Sequence, residues 1–151
     1  MSDLPALFAD YASYHRTKGN KLFHRMGIPL IVLTLIGMLA RVTLVQVNGT
    51  RLDLAMVLIL ASTIYYLALN WRLGVLMAAV NVVFYVAGAA LPFSLNVVLF
   101  ILGWIFQFIG HSVYEKKNPA FFRNFVHLLV GPLWILNDLI PVVKTSVIEH
   151  A

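Results

Sequence analysis

The chain contains no cysteine. Disulfide frameworks, CxxC redox chemistry, thiolate metal sites and a cysteine nucleophile are thereby excluded, and any metal ligands must be nitrogen or oxygen. Charge is scarce as well. Only 11% of the 151 residues are Asp, Glu, Lys or Arg, where an ordinary soluble domain carries roughly 25%. Water is therefore not the main solvent of this chain. No secretory leader is expected at the start of the chain, because MSDLPALFADYASYHRTKGN has early acidic residues and neither a basic n-region, an apolar h-region nor a small-residue cleavage site. The N-terminus is expected to stay in the mature protein. The sequence holds no HExxH, GxSxG, P-loop or GxGxxG, which removes the common zinc-protease, esterase and nucleotide-binding signatures.

What is abundant is apolar surface. Hydrophobic residues make up 61% of the chain and the mean hydropathy is +0.87. The length fits a single membrane-embedded domain, residues 1–151. A bilayer core about 30 Å thick needs roughly 20 apolar helical residues, and four stretches qualify: Met26 to Val47, Leu52 to Asn70, Leu73 to Leu91 and Ser94 to Val113. The separators Asn48-Gly49-Thr50, Asn70-Trp71-Arg72 and Leu91-Pro92-Phe93 carry turn chemistry. The expected fold is all-α, a polytopic bundle of four transmembrane helices joined by tight hairpins.

Two flanking segments complete it. Leu4, Leu7, Phe8, Tyr11 and Tyr14 follow a 3–4 spacing, which predicts an interfacial amphipathic helix. Phe121 to Ile140 is apolar but is interrupted by Gly131-Pro132 and carries Arg123, Asn124, His127, Asn137 and Asp138. A broken or re-entrant helix packed on the bundle suits it.

Arg16, Lys18, Lys21 and Arg25, then Arg72, then Lys116, Lys117 and Arg123 all fall on one side of such a bundle. The positive-inside rule makes that side, with both termini, cytoplasmic, and a bacterial inner membrane is the expected host. The net charge of +5 is read as topology and contact with anionic lipid headgroups, not as nucleic-acid binding.

On this topology His15, His24, His111 and His127 gather at the cytoplasmic membrane face, and His150 lies in the tail. His15 and His24 are nine residues apart and would sit on opposite faces of one straight helix. Gly19-Asn20 offers a break that could turn both imidazoles inward; otherwise they are interface histidines. Gln107, His111 and Glu115 repeat at i, i+4, a polar stripe down an apolar helix. Such a stripe is either an interhelical hydrogen-bond seam or metal ligands with their supports, and imidazole with carboxylate suits iron, zinc or manganese. An HxxxE pair by itself is a weak signal. Asp138 either points back toward these groups or is an interfacial carboxylate, and the rim of Arg16, Lys18, Lys21, Arg25, Lys116 and Lys117 could hold the acid group of an amphiphile.

The blocks YHxxxxNxxxHxxGxP (Tyr14 to Pro29) and QFxGHxxxExxxPA (Gln107 to Ala120), followed by Asn124 and Pro132, resemble the small membrane proteins labelled domain of unknown function 962, associated with 2-hydroxy fatty acid dioxygenase activity. The resemblance covers nearly the whole chain. It implies a membrane-embedded Fe(2+) enzyme that uses O2 to shorten a 2-hydroxy fatty acid by one carbon, a step of α-oxidation in sphingoid-base breakdown. It also implies His15, His24 and His111 as iron ligands, with Glu115 as a fourth ligand or supporting base. Asn20, Gln107 and Asn124 would orient ligands or substrate, and Arg16 and Lys18 would receive the acid. His127 departs from the family pattern and is not expected to be a ligand. Two other readings of the same polar cluster are a metal-dependent lipid hydrolase and a non-catalytic lipid-binding membrane protein.

Overall fold

A computed structural model describes residues 3–116 and 125–144. Asn124, Lys117, Arg123 and His150, all singled out from the sequence, lie outside the described residues.

The described chain is mostly helical. Helix α1 (Leu4–Ser13) is followed by α2 (Lys18–Leu39), a hairpin of β1 (Thr43–Val47) and β2 (Thr50–Asp53), then α3 (Leu54–Leu69), α4 (Trp71–Ala90) and α5 (Phe93–Ile109). A π-helical turn (Gly110–Glu115) continues α5, and α6 (Val126–Leu139) closes the described part.

Three helices are long and apolar enough to cross a membrane: α2, α4, and α5 with its π-turn. The expected second span, Leu52 to Asn70, is instead a helix of 16 residues, about 24 Å long at 1.5 Å per residue. The first span is also displaced. It starts at Lys18 and stops at Leu39, because Thr43, Val45 and Val47 pair as a strand with Thr50–Asp53. The reason is local: β-branched residues flank Asn48-Gly49, whose φ values of 50° and 80° are those of a two-residue hairpin turn. The expected break at Gly131-Pro132 is absent, since α6 runs unbroken through Pro132.

Helix α2 is the central element, packing on both α4 and α5. Small residues permit the close approach. A Cβ on Gly37 would meet the Gly88 carbonyl oxygen at 2.5 Å, and one on Gly103 would meet the Gly27 carbonyl oxygen at 3.0 Å. Without a hydrophobic drive between helices in lipid, backbone contact of this kind supplies the packing. Polarity is inverted to match. Thr34, Asn81, Asn96 and Gln107 are buried, whereas Leu60, Ile64, Val83, Val86 and Val98 are exposed, as expected of helices whose outer solvent is hydrocarbon.

The two ends of the bundle differ. At one end Asp53 caps α3 through Met56 N–H at 3.0 Å and accepts the Tyr85 hydroxyl at 2.6 Å. Arg51 donates to the Ala40 carbonyl, and Arg41 to that of Leu91. At the other end α1 and α6 cover the α3–α4 turn. Leu4, Phe8 and Tyr11 of α1 share one apolar cluster with Tyr66, Leu73 and Met77 and with Val130, Leu133 and Trp134 of α6. The stripe expected to face an interface therefore packs largely on protein.

Candidate metal centre

Three histidines meet at this second end. His15 follows α1, His24 lies in the second turn of α2, and His111 lies in the π-turn. Their ring centroids are 4.4 Å (His15–His24), 4.9 Å (His15–His111) and 4.8 Å (His24–His111) apart. All three are buried.

His15 and His24 come together through a bend, placed differently from the sequence expectation. The chain turns at residues 14–17, and Thr17, not Asn20, starts the second helix by accepting the Asn20 N–H at 3.3 Å. Gly19 and Asn20 are already helical. Gly19 has a separate task, because any Cβ there would enter the Tyr114 ring.

Each of these two imidazoles is oriented by the carbonyl four residues earlier. His15 Nδ1–H donates to Tyr11 O at 2.6 Å, and His24 Nδ1–H to Asn20 O at 2.9 Å. A carbonyl can only accept, so both Nδ1 atoms carry a proton, and in the neutral imidazole Nε2 keeps the lone pair. The Tyr11 ring stacks on His15 with centroids 4.1 Å apart and planes 14° from parallel. Burial pushes the His15 pKa down to about 4, the Tyr11 carbonyl bond opposing only part of the shift. His15 is thus neutral at pH 7, the form that binds metal.

Two nitrogens in this group, His15 Nε2 and His111 Nδ1, are buried with no hydrogen-bond partner among the described residues. Such orphaned atoms are costly unless something else pairs with them. One candidate ligand atom from each histidine lies within 4.8 Å of the other two. Any three atoms so placed are within about 2.8 Å of a common point, against roughly 2.0–2.1 Å for a zinc–imidazole bond. Movement of less than about 1 Å per ring closes the set. The cluster fits a metal ion.

Glu115 is not a member of the cluster. Its carboxylate accepts the N–H groups of Arg16 and Thr17, the Thr17 hydroxyl and Asn20 Nδ2, each at 3.1 Å. It sits at the N-terminus of α2, where an anion is favoured, and ties the 14–17 turn to the end of α5. Asn20 adds a bond from Nδ2 to Tyr14 O at 3.2 Å. Arg16 and Lys18 are exposed on this turn. Asp138 does not point toward the histidines; it pairs with Arg25, whose Nε donates to it at 2.8 Å.

A cavity of about 70 Å³ adjoins the cluster, lined by the three histidines, Gln107, Tyr11 and His127 among others. Gln107 Nε2 is buried without a partner. His127 stands apart from the triad: its Nε2 meets an Asp10 carboxylate oxygen at 2.7 Å. Sequence reasoning missed Tyr11 and Thr17 as parts of this site. The signal for Tyr11 was present, since it precedes His15 by four residues as Asn20 precedes His24, the spacing of a ring-to-carbonyl bond.

The chain matches, over residues 1–141, the family described as 2-hydroxy-palmitic acid dioxygenase Mpo1-like. It is 32% identical over 139 residues to the 2-hydroxy-palmitic acid dioxygenase MPO1 of Saccharomyces cerevisiae, a match that spans 91% of this chain and 80% of the yeast protein. No solved structure matches the chain.

Proposed function

The chain belongs to the Mpo1-like family, and from that premise we propose that it is an Fe(2+)-dependent membrane dioxygenase that shortens 2-hydroxy fatty acids by one carbon. The reaction balances as 2-hydroxy acid plus O2 giving the acid one carbon shorter, CO2 and water. The observation that carries the reading is the buried triad of His15, His24 and His111, with Nδ1 of the first two committed to carbonyls.

These three side chains would hold the iron. When bound, it supplies a Lewis acid and a redox partner for O2, chemistry that no protein side chain here provides. The residues around it bind and orient. Gln107 offers an unpaired amide N–H₂ to an oxygen of the substrate head. Asn20 holds the His24 ring through its carbonyl and the 14–17 turn through its side chain. Glu115 acts as a positioning residue in this reading, because its oxygens are occupied by the turn that carries His15. Arg16 and Lys18, exposed beside it, receive the incoming carboxylate at the headgroup level. Asn124 completes the set proposed from the sequence. The basic flanks at this end of the bundle support a cytoplasmic side for it and for both termini.

The neutral His15 imidazole adds no positive charge to the site. The deciding experiment is metal analysis of detergent-purified protein, joined to an assay of 2-hydroxyhexadecanoic acid with and without O2. About one iron per chain and oxygen-dependent release of pentadecanoic acid are expected. Full activity of the metal-free protein, or turnover under anaerobic conditions, overturns the reading.

A further inference from the structure

The cavity beside the histidines has a volume of about 70 Å³, half that of the apolar groove next to it. It has room for a polar head and none for a long acyl chain. A second cavity of about 140 Å³ lies between α2, α4 and α6. Ile28, Val32 and Pro132 line both spaces, so one wall is common to the two.

The second space is wholly apolar in its lining residues. Along α4 its wall is Met77, Val80 and Phe84, a 3–4 spacing that makes one stripe. From Met77 to Phe84 the stripe extends about 10 Å along the helix axis, away from the end that holds the histidines. On α6 it reaches Leu139, which is 65% exposed, so the groove has an opening on the outer surface of the bundle.

We propose that this groove is the acyl-chain site for the 2-hydroxy acid, with Val80 and Phe84 setting the accepted chain length. This rests on the activity proposed above. The adjacency of the two spaces across Ile28, Val32 and Pro132 selects the occupant, because a molecule with its acid group at the histidines has an acyl chain too long for the small cavity, and the neighbouring space is the apolar one. Transfer of a chain from lipid into the groove brings little hydrophobic gain. Selection therefore works by shape, and filling the groove excludes long chains before short ones.

The test uses the whole protein in detergent or nanodiscs. A 2-hydroxyhexadecanoic acid with a diazirine near its methyl end is photolysed on the wild-type protein and the labelled peptides are mapped. Label on residues 77–84 and 135–139, displaced by unlabelled 2-hydroxyhexadecanoic acid, is expected. Label on the outer face of α5, at Val98, Ile101 or Ile105, with turnover intact overturns the groove and leaves the activity standing. Label displaced by phospholipid but not by the hydroxy acid marks a lipid site and also overturns it. Groove label in a protein that holds no iron and shows no turnover overturns the proposed activity but keeps the acyl site. In a second arm, Val80→Trp is expected to lower the preference for a 16-carbon over an 8-carbon 2-hydroxy acid by about tenfold in kcat/KM, with iron content unchanged. Phe84→Ala is expected to shift the optimum to longer acids. Equal effects on all chain lengths for both variants overturn the proposal.

Discussion

Gly110→Ala tests how the metal centre is held. A Cβ at this position would lie 2.5 Å from Asn20 Oδ1 and 3.2 Å from His24 Nδ1, where ordinary contacts are about 3.5–4.0 Å. Asn20 would have to retreat by about 1 Å. It is not free to do so, since Nδ2 bonds Tyr14 O and the Glu115 carboxylate and its own carbonyl fixes the His24 ring. Overpacking costs about 1–3 kcal/mol, and weakening a bond to a carboxylate adds about 1 kcal/mol or more. The expected destabilisation is about 2–4 kcal/mol, and the expected loss of iron affinity is about 10–100-fold, the range for disturbing groups that orient ligands. Iron titration against a competing chelator, together with thermal unfolding in the same detergent, measures both. Gly49→Ala is the control: Gly49 has φ 80° and nothing within 4 Å, so the substitution should cost about 1–2 kcal/mol of turn strain and leave iron binding intact. If Gly110→Ala holds iron as tightly and unfolds at the same temperature as wild type, the close packing of the π-turn on Asn20 is not what positions His24.

Single substitution of His15, His24 or His111 by Ala should abolish stoichiometric iron, read by elemental analysis; wild-type iron in any one variant removes that residue from the ligand set. Glu115→Gln keeps the shape but loses the charge that four donors share, so iron affinity should drop about 10–100-fold while some iron remains. Complete loss of iron would instead mark Glu115 as a ligand. Asp53→Asn, at the far end of the bundle, should lower stability by about 1–3 kcal/mol through the Tyr85 hydroxyl and the α3 cap without changing iron content.

The pattern of apolar stretches and turns was enough to locate α4 and α5 within a few residues, because Asn70 and Pro92 end their neighbours by backbone chemistry that needs no tertiary context. It misplaced the ends of α2. Hydropathy treats Thr43, Leu44, Val45 and Val47 as membrane-spanning, yet the Asn48-Gly49 turn makes them a hairpin, and period-2 pairing was hidden inside an apolar run. At the other end Gly19 and Asn20 look like a helix break, but Thr17 caps there and Glu115 reinforces the start from 98 residues away. That contact cannot be read from local propensity. That His15, His24, His111 and His127 lie at one end was legible from topology, and the family resemblance singled out the first three. The tautomers, the Glu115 anchor and the ion pair of Asp138 with Arg25 required the packed structure.

The π-turn explains why Gln107, His111 and Glu115, one stripe on a regular α-helix, serve two purposes. Through Gln107 the helix is α, and Gln107 and His111 both line the cavity. From Gly110 the wider π geometry takes over and ends at Lys116, whose φ of 54° terminates the helix. Glu115 then meets the 14–17 turn while His111 faces its two partners. Turns of this kind are rare and recur at functional sites. Gly110 at its start lets Asn20 and His24 approach the backbone, and Tyr114 in its last turn lies over Gly19. Deleting one residue from this turn, for example Val113, should restore α-geometry and separate the two tasks. Iron binding should then fail even though all three histidines remain, and retention of iron in that deletion variant would show that the π-turn is incidental to the centre.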